Sequence, residues 1–355
     1  MMGLRAGEST DPPLSILLSF GIEATASQRI ALGQVHATWV VTDTKGVKHV
    51  VQRVHPSFPE GCEMRLELVT AHLLAHGWPA PRLLRNKDGL ICSKDPLGHR
   101  WRVMSYLDGE SFAEFKTAHQ ARSAASLLAR FIETIRTLNF EALPPPPIVH
   151  NPTFHLQALE EAIKGATQVD EVFREEALRL AESLIELIPI FHPHNPSVPY
   201  RNLHGDPKAS NLIFRNGEAW ALVDLDAVGP GLLHLEVGDA LRSHAIVRDN
   251  NQAVLDEERL RAGLWGFIES AREWLSVEEA RAIPLGIYAI ALELSARYLR
   301  DVFEDQHFGW DPKRFPSRRA HNLERARLYF GLAKWLKGRL AAIEKTTEAL
   351  ITRFL

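Results

Sequence analysis

The stretch from Leu203 to Asp226, LHGDPKASNLIFRNGEAWALVDLD, gathers the residues of this 355-residue chain best suited to chemistry. His204, Asp206, Lys208 and Asn211 follow the spacing H-x-D-x-K-x-x-N, and Asp224 closes the second of two apolar runs. Asn216-Gly217 is a two-residue hairpin signal between Asn211 to Phe214 and Ala219 to Val223. Such a hairpin returns Asn211 to the side of Asp224. Two oxygen-bearing side chains at its open end suit a hard cation such as Mg²⁺, which keeps waters or phosphate oxygens in its other positions. Phosphoryl transfer asks little else of a protein: the γ-phosphate charge must be neutralised, the acceptor oxygen aligned and its proton removed. Asp206 is read as the base, Lys208 as the cation that reaches the transferring phosphate, and Asn211 with Asp224 as metal ligands. His204 is read as packing and orienting the loop. Any one of these residues fits an ordinary turn or strand end, but the ordered set does not.

His204 to Asn211 with Asp224 resembles the catalytic and metal-binding loops of the protein-kinase-like phosphotransferases, in particular the aminoglycoside phosphotransferase and choline kinase superfamily. Further segments resemble the N-acetylhexosamine 1-kinase-like branch, among them Val50 to Val54, Pro199-Tyr200-Arg201, Gly238 to Arg242 and Arg297-Tyr298-Leu299. The resemblance implies an α+β, two-lobed fold, with a small antiparallel sheet and one helix in the N-lobe and a larger, mainly helical C-lobe. It implies residues 1–104 as the nucleotide-binding lobe, 105–109 as the hinge and 110–355 as the catalytic and acceptor-binding lobe. It also implies ATP and Mg²⁺ as cofactors, and as acceptor a small-molecule hydroxyl, a sugar before an aminoglycoside, choline or a hydroxy amino acid.

By the same resemblance Arg53 is the third-strand cation that holds phosphates, with Glu67 as its helix partner and Glu63 in reserve. Gly33 lies in the phosphate-covering loop, where relatives often carry two or three glycines, so Gln34, His36 or Thr38 side chains are candidates to make up the contacts. Ser105 and Tyr106 fall in the hinge whose backbone would meet adenine. Asp226 is a second, lesser metal candidate, and Asp239 is expected to brace the catalytic loop. Arg242, Arg297 and Tyr298 are the acceptor-pocket candidates, although ordinary helix positions account for them as well.

The elements that must position these residues are legible from periodicity. Strands are expected at Arg29 to Leu32, Thr38 to Asp43, Lys48 to Val54, Leu90 to Ser93 and Arg100 to Tyr106, with a helix over Glu63 to His76. Long helices follow at Ala121 to Leu138, Val169 to Ile188, Leu255 to Trp274, Ala282 to Phe303 and Arg318 to Ile343, and the prolines Pro144 to Pro147 form a stiff connection. Charged residues make up 24% of the chain and the formal net charge is -3, so no basic field draws nucleic acid or acidic lipid. Cys62 and Cys92 make neither a disulfide framework nor a zinc site. With no signal-peptide pattern and no run of about twenty apolar residues, the expectation is a cytoplasmic monomer or homodimer without membrane contact. A catalytically inactive nucleotide-binding scaffold is the alternative of another class, motivated by the glycine-poor loop and by Arg53. The lack of an A-P-E segment after Asp224 speaks against a protein kinase.

Overall fold

The computed structural model describes residues 11–30, 36–141, 143, 146, 149–165, 171–187, 199–249 and 252–355. Gly33, Gln34 and, apart from Pro146, the proline run lie outside these. The N-lobe begins with α1 (Leu14–Ser19), β1 (Ala24–Arg29), β2 (Ala37–Asp43) and β3 (Lys48–Arg53). It continues through α2 (Cys62–Ala75), β4 (Ser93–Lys94) and β5 (Arg100–Ser105). The five strands form one antiparallel sheet in the order β1-β2-β3-β5-β4. The first described strand is Ala24–Arg29; of the strand expected over Arg29 to Leu32, the last two residues lie outside the described ones.

Alternation along the strands gives the sheet two working faces. Trp39, Val41, Val51, Trp101 and Val103 point one way and pack with Ile16 and Leu17 of α1 and with Phe20, just beyond it, into a separate small core. Thr38, Val50, Gln52, Arg102 and Met104 point the other way, toward the interlobe cleft. The β3–β5 register sets Gln52 opposite Arg102 and Arg53 opposite Trp101. Leu66, Val69 and Leu73 of α2 belong to the main core, which runs on into the C-lobe.

The C-lobe comprises α3 (Ala118–Ile135), α4 (Pro152–Gly165), α5 (Glu171–Ile185), the strands β6 (Tyr200–Leu203), β7 (Leu212–Arg215), β8 (Glu218–Leu222) and β9 (Gly229–Leu232), and α6 (Leu233–Ala245). The hairpin β10 (Ile246–Asp249) and β11 (Gln252–Leu255) leads to α7 (Glu257–Ala271), α8 (Val277–Glu304), α9 (Arg318–Lys337) and α10 (Leu340–Phe354). α3 opens with a capping box of Thr117 and Gln120, and α8 with one of Ser276 and Glu279, which satisfy the free amides of each first turn. Among the described residues α8 is long and apolar enough to cross a bilayer, yet 78% of that apolar window is buried, because α8 is the column on which α4, α6 and α9 pack. Its crossing with α6 is very close. A Cβ on Gly286 would stand 1.8 Å from the His234 carbonyl oxygen, and one on Gly238 would stand 2.4 Å from the Gly286 backbone. Side chains of any size there would force the two helices apart.

Candidate active site

Gly205 turns the chain out of β6 into the loop that carries the candidate residues Asp206, Lys208 and Asn211. Its φ is +87°, and an added Cβ would meet the Ala227 carbonyl oxygen at 2.6 Å, so backbone conformation and space both demand glycine. The loop hangs from α6. Glu236 accepts the amides of His204 at 2.9 Å and Gly205 at 3.1 Å, the Ser243 hydroxyl accepts that of Ala209 at 2.9 Å, and His244 Nε2 donates to the Pro207 carbonyl at 3.2 Å. Burial pushes Glu236 up to about 7, against the pull of His150 and of the two amides. Asp239, expected as the brace, instead accepts two bonds from Arg242, one turn along the same helix, at 2.7 and 3.0 Å.

His204 is wholly buried, and its tautomer is fixed by its neighbours. Nε2 donates to the Val223 carbonyl at 3.0 Å, and Nδ1 accepts the Asp206 amide at 3.2 Å. Burial pushes the ring down to about 4, so it is neutral, which agrees with an orienting rather than a reacting role.

Asp206, Lys208 and Asn211 come together. One oxygen of Asp206, Oδ2, takes both the Lys208 ammonium and Asn211 Nδ2, the latter at 3.1 Å. Oδ1 accepts no protein hydrogen bond among the described residues and is therefore the atom able to receive a proton. Burial alone would lower the Lys208 ammonium; Asp206 and Asp224 outweigh it and hold the group charged, above its ordinary range. Asn211 Nδ2 also donates to the Asp206 carbonyl at 2.9 Å, which leaves Oδ1 of Asn211 as the free ligand atom. The hairpin closes as expected at Asn216 and Gly217, both with positive φ, and the Val223 amide bonds the Asn211 carbonyl at 2.9 Å.

Asp224 follows in a left-handed conformation, φ 66° and ψ 55°, and is open to the cleft. Its carboxylate takes no hydrogen bond among the described residues. Loss of solvation raises it, with Lys208 opposing and Asp226 and Asp206 adding to the rise. Carboxylates crowded around one ammonium, beside a free amide oxygen, have the chemistry of a site for a hard divalent cation. Asn211 and Asp224 fit that ion; Asp226 does not. Both Asp226 oxygens are held by the Arg102 guanidinium at 2.6 Å. His36 Nδ1 accepts the His55 amide at 3.1 Å, so the hydrogen on its other nitrogen, 3.4 Å from Asp226 Oδ2, faces the carboxylate. Ligand-capable atoms of His36, Asp224 and Asp226 lie within 4.8 Å of one another; Asp226 is held by Arg102, whereas Asp224 is the carboxylate of the three that takes no hydrogen bond among the described residues.

Residues 27–277 match the profile of the phosphotransferase enzyme family, APH. The chain belongs to that family. The amicoumacin kinase hAmiN, in complex with AMP-PNP and Ca²⁺, matches with a TM-score of 0.61 at 13% identity, over 94% of this chain and 91% of that one. A microcompartment-associated aminopropanol kinase matches with a TM-score of 0.63 at 14% identity, over 93% and 97%. An ethanolamine kinase of Plasmodium vivax matches with a TM-score of 0.56 at 13% identity, over 86% and 81%. At these identities the likeness shows the kinase-like fold. Family and fold together make the protein a small-molecule phosphotransferase.

The N-lobe of this phosphotransferase departs from two expectations. Arg53 is one residue out of phase with the cleft face, where Gln52 stands, and it lies across the sheet from Trp101. Glu67 pairs with Arg85 near the surface, and Glu63 with Arg100 at 3.1 Å, so neither meets Arg53. Gln52 instead accepts from Arg102 and donates to Thr38 at 3.2 Å. In the segment expected to be the hinge, Ser105 lines the cleft, but its amide and hydroxyl are both bonded to the Arg82 backbone; Tyr106 and Leu107 line the same opening.

The three acceptor candidates share one cluster with Asp239 and with His150 and Glu293, which the sequence did not reveal. Arg242, Asp239, His150, Glu293 and Arg297 form a chain of alternating charge. His150 lies 3.9 Å from Asp239 and 3.5 Å from Glu293, and Glu293 lies 3.7 Å from Arg297. Burial opposes charge on His150, yet Glu293 and Asp239 prevail and raise it to about 9. Tyr298 stacks on Tyr329, ring centres 5.7 Å apart, and the Tyr329 hydroxyl accepts from Arg242 at 3.3 Å. Arg242 and Tyr298 are buried within this packing, whereas Arg297 keeps about a quarter of its side chain, 24%, exposed.

Proposed function

We propose that this phosphotransferase moves the γ-phosphoryl group of ATP to a hydroxyl of a small polyol or sugar, with a divalent cation, Mg²⁺ under physiological conditions, held by Asn211 and Asp224. The observation that carries the reading is the grouping of Asp206, Lys208, Asn211 and Asp224 at the mouth of the interlobe cleft. The bound cation would supply charge neutralisation to the phosphate oxygens. The protein does the rest. Asp206 Oδ1 receives the acceptor's proton, Oδ2 stays pinned by Lys208 and Asn211, and the Lys208 ammonium faces the phosphate. Backbone beyond Ser105, at Tyr106 and Leu107, is free to meet the adenine. The AMP-PNP and Ca²⁺ in the amicoumacin kinase structure support nucleotide and divalent-ion use by this fold.

The acceptor class is read from the alternating chain. Arg242, His150 and Arg297 compensate Asp239 and Glu293, so no surplus negative charge remains there to hold a cationic acceptor such as choline. Arg297, with 24% of its side chain exposed at the end of this chain, offers donors that suit the many hydroxyls of a neutral sugar, an N-acetylhexosamine included. ADP release should be measured with neutral sugars, N-acetylhexosamines, aminoglycosides, choline and hydroxy amino acids as acceptors. Turnover with a neutral polyol bears the reading out. Turnover confined to cationic acceptors overturns the acceptor class, and no turnover with any acceptor, at saturating ATP and metal, overturns the activity.

A further inference from the structure

Asp224 occupies the left-handed backbone region, which a non-glycine residue holds where its surroundings favour it. Upstream, the C-lobe imposes it through the bonds of His204 and Asn211 to Val223. Downstream, β9 is paired with β6 from Gly229 on, and between Asp224 and that strand the other lobe adds its own restraints: Arg102 of β5 grips both oxygens of Asp226, and Arg65 of α2 donates to the Val228 carbonyl at 3.1 Å. Arg102 also fills the cleft-facing row that lacks Arg53. Of its five N–H groups, Gln52 and Asp226 take four, and the residue is 1% exposed. One remaining N–H cannot grip a phosphate in a fork.

We infer that Arg102 is a positioning residue of phosphotransfer: it acts through Asp226 to hold the Asp224 turn in its metal-binding conformation, and so ties metal affinity to closure of the N-lobe sheet onto the C-lobe. The inference rests on Asp224 as a metal ligand, as proposed above. Arg102, on β5 beside the strand where a phosphate cation was expected, thus puts a cation on the cleft face but serves the metal turn.

The test is a titration with Mn²⁺, whose binding is read directly by electron paramagnetic resonance, in the presence of ADP. Calorimetry of metal-free ADP binding runs alongside, for the wild type, Arg102→Gln, Arg102→Lys, Asp226→Asn and the double variant Arg102→Gln/Asp226→Asn. Arg102→Gln should weaken Mn²⁺ binding by about 10- to 100-fold, the usual cost of losing a group that orients a ligand, while metal-free ADP affinity stays as in the wild type. The double variant should bind Mn²⁺ no more weakly than the weaker single variant, because one interaction is being removed. Lysine, which keeps the charge but not the fork, should fall between. Wild-type Mn²⁺ affinity in Arg102→Gln overturns the inference, and so does an equal loss of metal-free ADP binding, the mark of direct phosphate contact. If Arg102→Gln does not fold, because Asp226 is left buried and unpaired, the double variant and Arg102→Lys decide by the same two criteria. A wild type whose nucleotide binding ignores Mn²⁺ would instead sink the proposed function itself.

Discussion

Replacing His204 by Asn should remove a defined part of the protein's acid sensitivity. In the folded chain His204 ionises at about 4, against an ordinary 6.5, because it is buried and because protonating Nδ1 would set a donor against the Asp206 amide. Between those two values the unfolded chain binds the extra proton and the folded chain does not, so stability is present above pH 6.5 and is lost as pH falls toward 4. At about 1.4 kcal/mol per pH unit the full difference is worth about 3 kcal/mol, of which about 2 kcal/mol is gone by pH 5. His244, pushed by burial to about 4, contributes in the same direction, so the wild-type slope alone does not isolate His204. The comparison of the two proteins does. Urea midpoints at pH 7 and pH 5 should show the wild type losing about 2 kcal/mol more than His204→Asn over that interval, whatever constant offset the substitution introduces. Parallel losses in the two proteins would refute the assignment of a neutral, proton-rejecting imidazole under the catalytic loop.

Asp206→Asn should lower turnover by about 10²- to 10⁴-fold with little change in nucleotide affinity, and a variant with the wild-type rate would remove Asp206 as base. Glu67→Gln should leave activity unchanged and shift stability by no more than about 1 kcal/mol, since its partner is the surface residue Arg85; a loss of nucleotide binding would restore Glu67 to the phosphate site. Glu293→Gln should raise the Michaelis constant for the acceptor and leave that for ATP alone, as steady-state kinetics varying each substrate in turn would show.

The catalytic segment was legible because its signals are local. The spacing from His204 to Asn211 and the Asn216-Gly217 turn are enough to predict that Asp206, Lys208, Asn211 and Asp224 come together, although α6 is what holds the loop in place. α6 was missed because every residue from Leu235 to Ala245 is buried, which erases the polar face that helical periodicity needs. That helix carries Glu236, Ser243 and His244, so the true brace of the loop was hidden with it. Arg53 was misplaced by one residue, which in a strand means the opposite face. Only pairing with β5 shows that Gln52 and Arg102 own the cleft side. His150 and Glu293 have no local signature; they are neighbours only because α8 runs past the segment before α4. The single helix expected over Arg318 to Ile343 is two, broken at Gly338 and Arg339, a break that costs the hydrophobic pattern nothing.

The contact of Gly286 with His234 makes α6 and α8 a single rigid frame, with the loop-bearing residues on one member and Glu293 and Arg297 on the other. With no slack at that junction, the gap between Asp206, proposed as the base, and Arg297, proposed to face the acceptor, is set by main chain rather than by side-chain length. Divergence toward new acceptors must then proceed by exchanging side chains along α8, since sliding the helix would misalign the chemistry for every substrate at once.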